Sequence, residues 1–211
     1  MNVAIFGGTF DPVHRGHLAV ARAARRRYKL GKIYFVPADI PPHKQRRPIT
    51  AYHHRFAMLV LATQGEKGFV ASLAEARDGE ARPAPSYSIS TVRRFRAQLA
   101  GRDRLFFIIG ADAFLDIGKW HRAAELLQEV EFIIASRPGF SLADAARALP
   151  PTVRPKGLHL MPGVAQDISA TQIRQALTQK RKLTRWLPSA VADYIHKEHL
   201  YEKAKRGLGR K

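Results

Sequence analysis

The sequence predicts an α/β fold built on a doubly wound parallel sheet, with helices on both faces and a small helical extension at the C-terminus. Three observations carry this. Short apolar runs recur along the chain. They are continuously apolar more often than alternating, as strands are when helices cover both faces of a sheet. Segments with helical periodicity separate them, and the alternation of the two patterns is that of a parallel α/β sheet.

In chain order, the strand candidates are residues 3–6 (VAIF), 33–38 (IYFVPA), 69–74 (FVASLA), 105–111 (LFFIIGA), 131–136 (EFIIAS) and 158–161 (LHLM). The first helix follows the run GGTFDPVHRGH and should begin near Arg15 or Gly16. The second, TAYHHRFAMLVLATQ, has Thr50 as a candidate N-cap. SISTVRRFRAQLA places Ile89, Val92, Phe95 and Leu99 on one face. HRAAELLQEV and LADAARAL are shorter helix candidates. After LHLM no strand pattern recurs. DISATQIRQALTQK and PSAVADYIHKEHL read as two closing helices, with Pro188 and Ser189 at the start of the second. The expected organisation is a core over 1–165, two helices over 166–202 packed on it, and a mobile tail over 203–211. ARDGEARPAPSYS (76–88), rich in proline and charge, reads as a loop.

Composition sets limits. The 211 residues suffice for one substantial core, and they include no cysteine, which excludes disulfides, thiolate metal sites and cysteine nucleophiles. No secretory signal and no spanning apolar run is read, which fits a cytoplasmic protein. Lys and Arg number 36 against 17 acidic residues, a net charge of +19. Such a balance suits a polyanionic partner, or a solvated basic exterior.

The chemistry concentrates in Gly7–His17. Two glycines at the end of a strand permit a tight turn and close approach of a ligand to the main chain. The helix start that follows offers unbonded N–H groups and a positive dipole end, an anion site. His14 and His17, three apart, share one face there, and their ring N–H groups can donate to phosphate oxygens. Neither G-x-x-x-x-G-K-[ST] nor G-x-G-x-x-G follows the first strand, so the two common phosphate-loop fingerprints are absent. A metal site would need a third ligand, and none of the usual spacing lies nearby.

This run resembles the signature of the nucleotidyltransferase superfamily in its H-x-G-H form, His14-Arg15-Gly16-His17. Across nearly the whole chain the sequence resembles bacterial nicotinate-nucleotide adenylyltransferases: PPHK (41–44), SYSIST (86–91), GAD (110–112) followed by Trp120, and IS-x-T-x-IR (168–174) come in that family's order. Two positions depart from its pattern. Ala170 stands where the family often has a second Ser, and Ser88 where Thr is common.

The resemblance implies a Rossmann-like sheet and transfer of AMP from ATP to nicotinate mononucleotide, with release of pyrophosphate. It implies that His14, His17, Lys44 and Arg174 are catalytic. Gly8, Thr9, Phe10, Gly110, Asp112, Ile168, Ser169 and Thr171 would join His14, His17 and Arg174 around ATP, with Asp112 on a ribose hydroxyl. Tyr87, Thr91, Trp120 and Lys44 would hold the mononucleotide, Trp120 by stacking. Magnesium would arrive with ATP, with few or no protein ligands. Another acceptor, nicotinamide mononucleotide or phosphopantetheine, is the alternative within the class. A basic nucleic-acid-binding protein is the alternative outside it, although no reader motif is present.

Overall fold

The computed structural model describes residues 1–40, 49–76, 85–136, 139–150, 152–164, 168–179, 181, 183 and 185–202. Six parallel strands, β1 (Asn2–Gly8), β2 (Leu30–Pro37), β3 (Phe69–Ala71), β4 (Arg104–Gly110), β5 (Glu131–Ser136) and β6 (Leu158–Pro162), form one sheet in the order β3-β2-β1-β4-β5-β6. The chain winds outward from β1 to β3, then returns to lay β4 against the other side of β1. The order reverses there, and the carboxyl ends of β1 and β4 open a crevice.

Among the described residues the α-helices are α1 (Arg15–Arg27), α2 (Tyr52–Thr63), α3 (Ser88–Gln98), α4 (Ala111–Phe114), α5 (Ala123–Glu129), α6 (Leu142–Arg147), α7 (Ala170–Thr178) and α8 (Ser189–Lys197), with a 3₁₀ turn at Ile117–Lys119. Successive strand residues point to opposite faces. Ala4, Phe6, Ile33, Phe35, Phe106 and Ile108 pack with Leu18 and Ala21 of α1, Met58 and Leu59 of α2, Ile173 of α7 and Val191 of α8. Val3, Ile5, Phe107, Ile109, Phe132 and Ile134 face the other way, onto Ile89, Val92 and Phe95 of α3, Phe114 of α4, Leu126 of α5 and Ala145 of α6. Burial on both faces is why the strands read as continuous apolar runs. The two closing helices complete the first of these layers.

Three local expectations change. β3 stops at Ala71 rather than 74, because it is an edge strand pairing only with Ile33–Phe35, after which Ser72 N–H turns in to the Phe35 carbonyl at 2.9 Å. The N-cap of α2 is Ala51, not Thr50. The Thr50 backbone is engaged elsewhere: its N–H donates to Asp11 Oδ2 at 3.4 Å and its carbonyl accepts from Arg55 Nε at 2.8 Å. The segment after β4 is not a simple strand end, since α4 begins at once at Ala111. The tail 203–211 and most of the 76–88 loop lie outside the described residues.

Candidate active site

Both glycines at the end of β1 are fixed by close approach. A Cβ at Gly7 would stand 3.0 Å from Phe107 Cζ, and one at Gly8 would stand 3.1 Å from Phe10 Cζ. Phe10 itself adopts the left-handed region at φ 50°, rare for a bulky residue and characteristic of a constrained functional turn. Its ring is buried against Phe6, Phe35 and the edge of His17, with 5.0 Å between the His17 and Phe10 centroids. Of the expected ATP-lining residues, Phe10 therefore offers its backbone alone; its side chain props His17 from below.

His14 caps α1 and His17 is its third residue. The His14 N–H donates to His17 Nδ1 at 3.2 Å, so in the neutral His17 ring the proton sits on Nε2. The two rings stack with centroids 3.7 Å apart. Burial lowers the His14 pKa to about 4, leaving it uncharged at neutral pH. Its Nδ1 is enclosed and has no hydrogen-bond partner among the described residues. Gly16 makes the arrangement possible, since a Cβ there would lie 2.9 Å from His14 Nδ1. This is the physical reason for a glycine between the histidines. The backbone amides contribute less than expected: Arg15 N–H donates to the Trp186 carbonyl at 2.8 Å and His17 N–H to the His14 carbonyl at 3.0 Å.

The start of α7 is drawn to the same place. Ser169 forms a reciprocal cap with Gln172: its hydroxyl accepts from Gln172 N–H at 3.2 Å and donates to Gln172 Oε1 at 3.0 Å. Arg174 Nη1 donates to the Asp11 carbonyl at 2.6 Å, and Nη2 to Thr171 Oγ1 at 3.3 Å. Ile168 packs over Gly16. Ser169, Thr171 and Arg174 are thus brought against the loop that holds His14 and His17. Asp11 fixes that loop from inside: Tyr201 OH donates to its Oδ1 at 2.6 Å, and burial, first, with the Asp11 charge, pushes the phenol up and keeps it a donor.

Beyond Gly8 a cavity of about 570 Å³ opens in the crevice, lined by Thr9, Gly110, Tyr87, Ser88, Trp120 and His121 among others. Tyr87 stacks on His121 at 4.1 Å, and Trp120 stands edge-on to Phe107 at 6.3 Å. Tyr87 and Trp120, expected to hold the mononucleotide, both line this cavity. Thr91, also expected around the mononucleotide, is buried and is not among the lining residues; its hydroxyl donates to Glu75 Oε1 at 2.5 Å. Asp112 is exposed on α4 and is not among the lining residues. Lys44 lies outside the described residues.

Two residues were missed by the sequence reading. Arg55 is 1% exposed, and its guanidinium donates to the carbonyls of Thr50, Thr9 (2.9 Å), Ala38 (2.7 Å) and Asp39 (3.3 Å), joining the turns after β1 and β2. Glu75 lines the cavity, and burial raises its pKa. Nothing in the sequence distinguishes either from an ordinary surface charge.

The cytidylyltransferase-like family matches residues 5–176. A probable nicotinate-nucleotide adenylyltransferase of Gloeobacter violaceus is 42% identical over 205 residues, 95% of this chain and 96% of its own length. That of Moorella thermoacetica is 40% identical over 209 residues, 98% and 94% of the two chains. Among solved structures, the fold is similar to that of a Plasmodium falciparum nicotinic acid mononucleotide adenylyltransferase complexed with NaAD, at TM-score 0.73 and 22% identity over 95% of this chain and 97% of that one.

Proposed function

The chain belongs to the cytidylyltransferase-like family and, within it, to the nicotinate-nucleotide adenylyltransferases, and from that premise we propose that the His14–His17 corner takes the ATP phosphates while the Tyr87–Trp120 cavity takes nicotinate mononucleotide. A phosphate oxygen of the mononucleotide attacks the α-phosphorus of ATP. The new P–O bond forms as the bond to the β-phosphate breaks, and pyrophosphate leaves with the electron pair. The nucleophile is already an anion, so no proton need be removed, and the work falls to positioning and charge stabilisation.

His17 Nε2–H and the uncharged His14 ring serve as donors to phosphate oxygens. Arg174, held by the Asp11 carbonyl, brings a fixed cation to the same corner. Lys44 closes the set in this reading. Magnesium enters as part of the ATP substrate. Among the described residues no three His, Asp or Glu converge to hold an ion, and a hard cation prefers the phosphate oxygens. The proposal includes a cytoplasmic location; no helix among the described residues is long and apolar enough to cross a membrane.

The observation that carries the reading is adjacency: a stacked imidazole pair at a helix start and an aromatic-walled cavity share the Gly8–Thr9 turn. Acceptor choice follows from α3. Its first N–H groups, at Ser88 and Ile89, precede the first bonds back to the Tyr87 carbonyl, and Ser88 lines the cavity. They donate to either oxygen of a carboxylate, whereas a carboxamide would turn an NH₂ toward a donor. The expected result is a kcat/KM at least about tenfold higher for nicotinate than for nicotinamide mononucleotide. Pyrophosphate release measured side by side at one pH and magnesium concentration checks it. Equal values, or a preference for the amide, would reject the acceptor.

A further inference from the structure

We propose that Glu75 is a positioning residue for the acceptor, its carboxylate being the shared hydrogen-bond acceptor that locks three separate loops into one wall of the cavity. The proposal rests on the reading of that cavity as the mononucleotide site. Glu75 lies on the turn after β3 and lines the cavity. From α3 it receives the Thr91 hydroxyl at 2.5 Å. From the segment before α3, Ser86 lines the cavity with it and favours its charged form. Ser86 in turn is the anchor of the turn after β2: its Oγ accepts from Asp39 N–H at 3.0 Å and Ile40 N–H at 3.3 Å, and its own N–H donates to the Ile40 carbonyl at 3.0 Å.

The chemistry of the donors suits a carboxylate. Ser86 Oγ accepts from two amide hydrogens, which leaves its proton to donate toward a carboxylate on the same wall. Thr91, 3% exposed, is in the same position of having a proton to place away from water. One carboxylate has an oxygen for each. A glutamine has one oxygen and turns an NH₂ to the other hydroxyl, setting donor against donor. The surrounding charges fit this arrangement. Arg94, bonded to the Ala74 carbonyl, faces the carboxylate favourably, and Asp39 faces it unfavourably. The wall so held includes Ser86, Tyr87 and Ser88, the side on which the nicotinate ring and its carboxylate would rest. Asp39 and Ala38 are themselves bonded to Arg55, so the same wall is referenced to Thr9 in the phosphate turn.

The test is steady-state kinetics on Glu75→Gln, Thr91→Val, Thr91→Ser and the double variant Glu75→Gln/Thr91→Val, each checked for wild-type melting and circular dichroism. Glu75→Gln should raise KM for nicotinate mononucleotide about tenfold, the scale of one hydrogen bond to a charged group. KM for ATP should stay within about twofold, because the interaction removed does not serve ATP. Thr91→Val should act in the same direction and Thr91→Ser should restore wild-type behaviour. The double variant should be little worse than Glu75→Gln alone, since both remove one network. Equal rises in both KM values, no rise at all, or additive effects would overturn the proposal. If Glu75→Gln does not fold, the contrast of Thr91→Val with Thr91→Ser decides it. Wild-type turnover separates the two readings: failure to use nicotinate mononucleotide rejects the acceptor, whereas normal turnover with indifferent Glu75 and Thr91 variants rejects only the positioning role.

Discussion

At the amino ends of β4, β5 and β6, Glu131 accepts from Arg104 at 2.6 Å and lies 2.9 Å from His159, Arg104 covers Phe106 at 4.9 Å, and Tyr28 packs on His159 at 5.4 Å. At the carboxyl ends of β1 and β4, glycines occupy positions where a Cβ would collide, Phe10 takes a left-handed backbone, and His14 Nδ1 is enclosed without a partner. The same sheet thus carries two kinds of polar cluster. In the Glu131 cluster the charges satisfy one another. At the other end unsatisfied polarity and strain accumulate around a cavity, at a cost that packing elsewhere offsets. The difference separates polar groups that satisfy one another, as around Glu131, from a ring with hydrogen-bonding capacity left over, as at His14.

The sharpest break of this contrast is His17→Ala. In the proposed mechanism its Nε2–H is a preorganised donor, and loss of one such donor lowers kcat about 10²–10³-fold, roughly 3–4 kcal/mol. Stability should fall much less, by about 1 kcal/mol, for the lost His14 N–H to Nδ1 cap. Turnover within a few-fold of wild type at saturating substrates would make His17 structural.

Arg55→Met tests the seam between the regions. It removes the donor from the part-buried carbonyls of Thr9, Ala38 and Thr50, and hydrogen bonds from a charged group contribute about 1.5–3 kcal/mol each before water partly replaces them. A loss of about 3 kcal/mol corresponds to a melting temperature lower by roughly 6–12 °C for a chain of this size. Calorimetry that finds no shift would mean that the loops after β1 and β2 hold their shape without the guanidinium.

How far the sequence foretold these regions depends on whether a contact is local. Strand runs, the glycine turn, the His14–His17 pair and the Ser169 cap are set by neighbours within a few residues, and were legible. Arg55 was not, because its partners are backbone carbonyls from three loops, which any residue supplies. Thr91 shows an intermediate case. The residue was singled out, but its hydroxyl bonds Glu75, a residue in a loop sixteen positions away that lines the cavity. Lys44 bears on the same question, but it lies outside the described residues. Capping and periodicity are written in spacing, whereas a hydrogen-bond network spanning three loops is written in the fold.

Trp120→Ala asks whether one residue can belong to both regimes, since Trp120 packs against Phe107 and also lines the cavity. A stacking contribution of about 1–3 kcal/mol should appear as a higher KM for the mononucleotide, with ATP less affected. Equal effects on both substrates, together with a large fall in melting temperature, would identify a core tryptophan.

The smallest effect is expected at the amino end, from Glu131→Gln. Burial by itself would push the Glu131 carboxyl up, but hydrogen bonds from Arg104 and His159, with their charges, hold it below the ordinary carboxylate range. A folded-state pKa below the unfolded one means that the unfolded chain binds the extra proton first. The stabilisation is therefore complete above the unfolded glutamate pKa and is lost as pH falls through the lowered folded value. Wild type should exceed the variant by about 1 kcal/mol or less at neutral pH, because Arg104 is half exposed and solvent screens the pair. The two should converge in acid. Both KM values and kcat should be unchanged, since the cluster lies at the opposite end of the strands from the cavity. Denaturant titrations across the acid range, with kinetics at neutral pH, measure both halves of the claim. A stability gap undiminished in acid would show that the carboxylate charge is not what Glu131 contributes. A several-fold change in kcat would show that the two ends of the sheet are coupled.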